Sequence, residues 1–262
     1  MSKQGAIRIG TCGWIYKHWR GIFYPERLPV TRWLSFYSQH FDTVEINNTF
    51  YRLPEARVFA DWRRRAPPEF LYALKANRFL THMKKLKDPA DALQRILDRV
   101  RVLGPHLGPV LYQLPPSWAC DVERLRQFIS LLPSDMDHVF EFRHDSWYTD
   151  DVRRLLTQTR MSFCVHDMRG ACCPNWATGP IVYLRFHGPT DPRCGGRYTL
   201  AHLRRCAEEI RHFQENRHDV YVYFNNDGGG YAVRNARELK ELLGLKPEAC
   251  IRDGRWTVES GG

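Results

Sequence analysis

The chain has 262 residues, 43% hydrophobic and 26% charged, a balance that excludes a disordered or fibrous protein and suffices for a large core. Its apolar runs are no longer than a strand, which excludes a membrane-spanning helix. Lysine and arginine number 39 against 29 acidic residues, a net charge of +10 that favours anionic partners: phosphorylated metabolites or nucleic acid.

Met1-Ser2-Lys3-Gln4 leads straight into a β-like segment and leaves no room for a signal peptide, so a cytoplasmic location is expected. Ile7 to Gly13 reads as the first strand, followed by an aromatic loop, Trp14 to Trp19. Trp14 could stack on a sugar or base there, although a lid packed on the barrel mouth is the simpler expectation. Thr31 should cap a helix through Trp33, Leu34 and Tyr37. Thr43 to Asn48 is the second strand, and Ala56 to Arg65 a helix stopped by Pro67-Pro68. Phe70 to Ala76 is the third strand. Asp88-Pro89 should open the next helix, which Gly104 closes. Pro109 to Leu114 is the fourth strand, and Asp121 caps the helix after it. Val139 to Arg143 is the fifth, followed by a helix capped by Thr149. Met161 to His166 and Ile181 to His187 are the sixth and seventh, joined by a long loop containing Cys172-Cys173-Pro174. Thr199 caps a helix before the eighth strand, Val220 to Phe224, and Asn225 to Gly230 then leads into the last helix. The glycines at 228–230 suit a turn or a phosphate cradle, without matching a nucleotide-binding motif.

Strand and helix thus alternate eight times at a period of roughly 30 residues, as in βαβ units. No linker divides the chain, so one domain over residues 1–262 is expected. The pattern predicts an α/β fold, a (β/α)8 TIM-barrel-like arrangement of eight parallel strands, because closure leaves no edge strand exposed.

The strands also share a polar parity. In a strand, side chains at i and i+2 lie on one face. Near their C-terminal ends the strands carry Glu45 and Asn47, Lys75 and Asn77, Glu141 and Arg143, Arg185 and His187, and Asn225 on matching parity, and Gln113 stands near the end of the fourth. A barrel of this kind places its active site at that end. Glu45, Glu141, Lys75 and His187 are therefore the candidate catalytic groups. The two carboxylates and the imidazole suit proton transfer, and Lys75 suits stabilisation of developing negative charge. Asn47, Arg78, His82, Gln113, Arg143, Arg185, Asn225, Asp227 and Trp14 are candidate substrate contacts. Structural ion pairs, such as Glu141 with Lys75 or Arg185, are the competing account.

No cofactor is required by the sequence. Glu45, Glu141, His166, Asp167 and His187 could ligate a catalytic metal, but Lys75, Arg143 and Arg185 would oppose a cation. Cys164, Cys172, Cys173 and Cys194 could hold zinc or an iron–sulfur cluster, yet their spacing fits no regular motif. Eight cysteines scattered through a chain with no export signal are expected as free thiols.

The stretches GTCGWIYKHWRGIFYP, FDTVEINNTFYRLP, LYALKANRFLTH, LYQLPPSW, FEFRHDSW, YLRFHG and YVYFNNDGGGYAVRNA resemble the YecE-like family, a domain of unknown function, from about Ile7 to Leu243. The resemblance implies a TIM-barrel-like fold and gives no reaction. It carries over Glu45, Asn47, Lys75, Arg78, His82, Gln113, Glu141, Arg143, His187, Asn225 and Asp227 as characteristic polar positions. Cys12 stands where serine is commoner, which argues against an essential nucleophile.

Three functions fit these features. The first is an enzyme performing acid–base chemistry on a small polar, anionic or sugar-like substrate. The second is a nuclease or phosphodiesterase that binds nucleic acid. The third is a non-catalytic ligand-binding module. The sequence leaves the oligomeric state open.

Overall fold

The computed structural model describes residues 4–168, 173–190 and 195–245. Eight parallel strands form a nearly closed barrel: β1 Ile7–Thr11, β2 Thr43–Ile46, β3 Leu71–Lys75, β4 Leu107–Gln113, β5 His138–Glu141, β6 Ser162–His166, β7 Ile181–Phe186 and β8 Asp219–Phe224. Each strand pairs with its sequence neighbour from β2 round to β8, and β8 pairs with β1. Outside them lie α1 Trp33–Tyr37, α2 Asn48–Tyr51, α3 Ala56–Arg65, α4 Ala90–Val100, α5 Val122–Ile129, α6 Asp150–Gln158, α7 Leu200–Glu215 and α8 Tyr231–Leu242.

Strand parity divides the core in two. Ala73, Leu111, Val139, Cys164, Tyr183, Tyr221 and Tyr223 fill the barrel interior, together with Cys12 from just beyond β1. Their sequence neighbours Tyr72, Leu74, Tyr112, Phe140, Phe163, Leu184 and Phe224 pack outward into the layer shared with the helices. Because both faces are buried, the strands read as nearly continuous apolar runs, and their parity shows only where an inward position is polar.

The remaining gap, between β1 and β2, is bridged by a side chain. The Tyr37 hydroxyl, from the end of α1, accepts the Thr11 N–H at 2.9 Å. The same oxygen lies 2.9 Å from Thr11 Oγ1 and 3.2 Å from the Thr43 carbonyl oxygen. One phenol thus stands in for ladder hydrogen bonds that this seam lacks. The approach is close enough that a Cβ on Gly10 would lie 2.2 Å from the Thr43 oxygen, so only glycine fits there.

Several expectations need correction. Thr31 does not cap α1: it lies inside a short 3-10 turn, Val30–Arg32, that runs directly into the helix. Asp88 takes a left-handed conformation (φ 41°), and Pro89 occupies the N-cap position of α4, so the Asp-Pro pair forms a turn before the helix. β4 begins earlier than its prolines suggested, at Leu107. The alternation of strand and helix also fails once, for the described residues between β6 and β7 contain no helix. Beside the bare strands lies a cleft of about 180 Å³ against α7, lined by Val165, Leu184, Phe186, His202 and Cys206 among others. The caps at Asp121, Thr149 and Thr199 do form, each side chain accepting a backbone N–H from the first turn.

Tyr37→Phe should cost about 1–3 kcal/mol, because the buried Thr11 N–H loses its acceptor. Urea unfolding of the variant measures this directly, and an unchanged midpoint would show that the seam does not depend on the phenol.

Candidate functional site

At the C-terminal end of the barrel the inward polar side chains converge. Arg185 of β7 is the centre, with 1% of its side chain exposed. Its guanidinium donates to Glu45 Oε1 of β2 at 2.8 Å and to Glu141 Oε2 of β5 at 2.6 Å, so one cation spans two carboxylates from opposite walls. Both carboxylates are fully buried. Glu45 also accepts the Tyr183 hydroxyl at 2.7 Å and the Cys12 thiol at 3.1 Å. Glu141 accepts the Gln113 amide at 2.8 Å and the Arg143 Nε–H. The β4–β5 register sets Gln113 directly beside Glu141.

These contacts decide the protonation states. Burial works to raise the Glu141 pKa, but the Arg143 and Arg185 guanidiniums outweigh it and hold the carboxyl well below its usual range. Glu141 is therefore an anion with its lone pairs occupied, which favours the ion-pair account of it. Burial, then the neighbouring Glu45 carboxylate, push the Cys12 thiol up, so it stays protonated as a donor. Burial and then the nearby Glu45 likewise raise the Tyr183 hydroxyl.

A second tier lies above. Arg143 reaches His187 Nε2 at 3.1 Å, and the Asn225 amide nitrogen lies 3.1 Å from His187 Nδ1. Burial, then the Arg185 charge, lower the His187 pKa well below the usual value, so the ring is neutral. The Asp167 carboxylate is engaged by the His187 backbone N–H at 2.7 Å and by the Tyr198 hydroxyl. His166 Nε2 lies 3.0 Å from the Phe142 carbonyl oxygen and 3.2 Å from the Tyr148 hydroxyl.

Lys75 differs from the other cations. It faces inward from the last position of β3 and is partly exposed. Among the described residues no hydrogen-bond or ion-pair acceptor lies within reach of its ammonium, which sits 4.1 Å above the Phe50 ring. Local sequence fixes this arrangement. Thr49 Oγ1 donates to the Lys75 carbonyl oxygen at 2.7 Å and Asn77 Nδ2 donates to the Thr49 carbonyl oxygen at 2.9 Å, clamping α2 and its Phe50 to the end of β3. Burial and then the Arg185 charge bring the Lys75 pKa down to about 8, against the opposing pull of Glu141 and Glu45. His82, edge-on to Phe50 at 4.8 Å, is lowered to about 4 by burial and then by Lys75.

Other expected positions fall differently. Trp14 is turned into the core, 5% exposed and edge-on to Trp62, and so is not presented for stacking on a ligand. Asp227 holds the loop after β1, its carbonyl oxygen lying 2.9 Å from His18 Nε2 and accepting the Trp19 indole N–H at 3.1 Å. Gly230 makes room for Ile22 of the same loop, since a Cβ there would lie 2.6 Å from it. Asn47 Oδ1 is buried without a partner among the described residues. Arg78 is exposed at the start of the π-helical turn Phe79–Met83. Tyr183 and Phe50 were not anticipated; Tyr183 shares the inward parity of Arg185 and His187, which was the available signal.

Among the described residues no three acidic, histidine or cysteine side chains converge on a metal position. The carboxylates proposed as ligands are instead occupied by arginine, tyrosine or backbone donors. Cys12, Cys120, Cys164, Cys173 and Cys206 are free thiols, whereas Cys172, Cys194 and Cys250 lie outside the described residues.

Glu141→Gln should destabilise the fold by about 3–5 kcal/mol, because it leaves buried guanidiniums without their counter-charge. With the folded pKa depressed, this stabilisation is present above the unfolded carboxyl pKa and is lost as pH falls through the folded value. Chemical denaturation at neutral pH and again in acid measures both, and a wild-type midpoint for the variant at neutral pH would refute the ion-pair role.

Comparison with known proteins agrees with this architecture. A family model described as "Protein of unknown function DUF72" matches residues 8–258. The chain is similar to UPF0759 protein YunF of Bacillus subtilis, 26% identical over 92% of this chain and 95% of that one. UPF0759 protein YecE of Escherichia coli K12 is 29% identical over 54% of this chain, and this match spans only half of YecE's length. Among solved structures, a DUF72 family protein of Thermotoga maritima superposes with a TM-score of 0.83 at 27% identity, covering 91% of this chain and 99% of its own. With the match spanning nearly the whole sequence, the chain belongs to the DUF72 family.

Proposed function

We propose that the protein is an enzyme that moves a proton on a small anionic substrate at the C-terminal mouth of the barrel, with Lys75 as the base. The observation carrying this reading is the lone ammonium of Lys75, brought down to about 8, beside carboxylates that are already paired. A lysine kept only for structure would be expected to have a counter-ion. A general base works best with a pKa near the operating pH. While Lys75 is still protonated, it, Arg143 and Arg185 together outweigh Glu45 and Glu141, which draws a carboxylate or phosphate to the mouth before the proton is lost. Neutral His82, edge-on to the same Phe50 ring that Lys75 covers, is available for proton relay.

The test is deuterium uptake at C–H bonds of sugar phosphates and hydroxy acids in D2O, followed by NMR. Uptake should rise with pH through about 8, because only the neutral amine accepts a proton. Lys75→Met should lower it by ~10²–10⁴-fold, while its Tm stays at or above that of wild type because a desolvated charge has been removed. Anion binding with no exchange would point to a ligand-binding module instead. Neither binding nor exchange would remove the reading.

One observation favours nucleic acid as a second reading. Tyr51 and Met83 are 71% and 64% exposed on the loops after β2 and β3, near the exposed Arg52, Arg78 and Lys87. Bases stack on such side chains while cations follow the backbone. Affinity for generic single-stranded DNA across a salt series decides this. Contacts to several phosphates give a steep negative slope of log K against log salt, and a flat slope rejects it.

A further inference from the structure

The proton-transfer reading leaves open why this lysine, and not one of the carboxylates, stands unpaired. We propose that Lys75 forms an imine with the carbonyl carbon of a small aldehyde or ketone that carries a carboxylate or phosphate. The inference rests on the anion-binding mouth proposed above and deepens it by naming the substrate class.

Three features of the site support it. The ammonium has no acceptor to hold its proton, and the face of Phe50 supports it at 4.1 Å. A cation loses its proton more readily where its surroundings are desolvated and already positive. The charged groups that act on it are Arg185 from β7, Glu141 at the end of β5 with Arg143 just beyond it, and Glu45 from β2. His82, on the turn after β3, stays neutral at physiological pH and adds no opposing charge. Glu45 and Glu141 cannot take the Lys75 proton permanently, because each is saturated by at least three donors. Arg143 donates to Glu141 and reaches His187, so its guanidinium is a fixed cation at the mouth that keeps its proton.

The chemistry balances without an added oxidant or reductant. The neutral amine lone pair attacks the carbonyl carbon, and the carbonyl oxygen gains a proton to give a carbinolamine. A second proton on that oxygen lets water leave as the C=N bond forms. Nitrogen gives up one of those two protons and the medium supplies the other, so neutral amine, carbonyl and one proton yield protonated imine and water. Neutral His82 can carry these protons. The iminium then draws electrons from the adjacent C–H bond, and because the Lys75 nitrogen is now bonded to the substrate the C–H proton passes to the neutral imidazole of His82 in its place.

The experiment is borohydride trapping on the full chain with pyruvate and, separately, glyceraldehyde 3-phosphate, followed by peptide mapping. Reduction adds to one lysine the mass of the carbonyl compound less one oxygen. At pH 7 the neutral fraction at Lys75 exceeds that of an ordinary lysine by roughly two orders of magnitude, so labelling should favour it over Lys84 and Lys87 by at least ~10-fold. The preference should vanish in urea, and excess inorganic phosphate should suppress it. Equal labelling of all lysines, or none at Lys75 with either probe, overturns the imine. If calorimetry still shows phosphate binding in that case, the anion site survives; without phosphate binding both readings fall together.

Discussion

The rest of the barrel mouth depends on a single guanidinium. Arg185 joins β7 to β2 and β5 through two buried carboxylates, and everything above it is arranged by what those carboxylates have left. Such a cluster adds little net stability over a well-packed apolar core, because desolvating three charges offsets most of their attraction. Its consequence is geometric. With the carboxylates held by Arg185, Gln113, Tyr183 and Cys12, the floor of the mouth has fixed rotamers and fixed charge. Arg143 is then drawn to Glu141 from above, and through His187 it orders Asn225.

Below that floor the barrel is built of ordinary parts, with one exception. Parallel strands on both sides of Tyr183 carry inward aromatic and aliphatic side chains, and Tyr223 meets Thr43 at 2.6 Å across the interior. The β1–β2 seam is closed by the phenol of Tyr37, which reaches in from α1. A short helix of five residues thus has a role that its length would not suggest. The seam sits beneath Cys12 and Glu45, so the closure of the barrel and the seating of the Arg185 cluster are mechanically linked.

Much of this was legible in the sequence, for a definite reason. A period of two carries information whenever a polar residue interrupts an apolar run, and Glu45, Glu141 and Arg185 each interrupt one. Their convergence followed from parity and from the end of the strand at which they stand. Which cation takes which carboxylate did not follow, because pairing depends on side-chain reach across the barrel and on the register of eight strands at once. Lys75 and Arg185 were equivalent candidates for Glu141 on paper. Trp14 stayed open between stacking on a ligand and packing, with packing the simpler expectation, because an aromatic loop has no periodicity to show which way each ring turns. That the described residues after β6 form no helix was hidden by a connection long enough to contain one. Thr31 and Asp88 were plausible caps that the chain uses for turns, which local composition alone does not distinguish.

The charge balance of the mouth ties these features to function. Two carboxylates face Arg185, Arg143 and Lys75, and the arginines take both of them. Arginine holds its proton at any accessible pH, whereas lysine shifts readily when desolvated. Assigning the carboxylates to the arginines therefore leaves the unbalanced charge on the one cation that can discard it. Had Lys75 been paired with Glu141 and an arginine left over, the mouth would carry the same net charge but contain no titrating group near neutral pH. The Thr49 and Asn77 clamp seats Phe50 under the ammonium, where the aromatic face attracts the charged form while the N–H groups find no acceptor among the described residues. Ion pairing below and an ammonium without a counter-ion above are thus two halves of one arrangement: the first makes the floor rigid, and the second leaves the excess charge on a lysine.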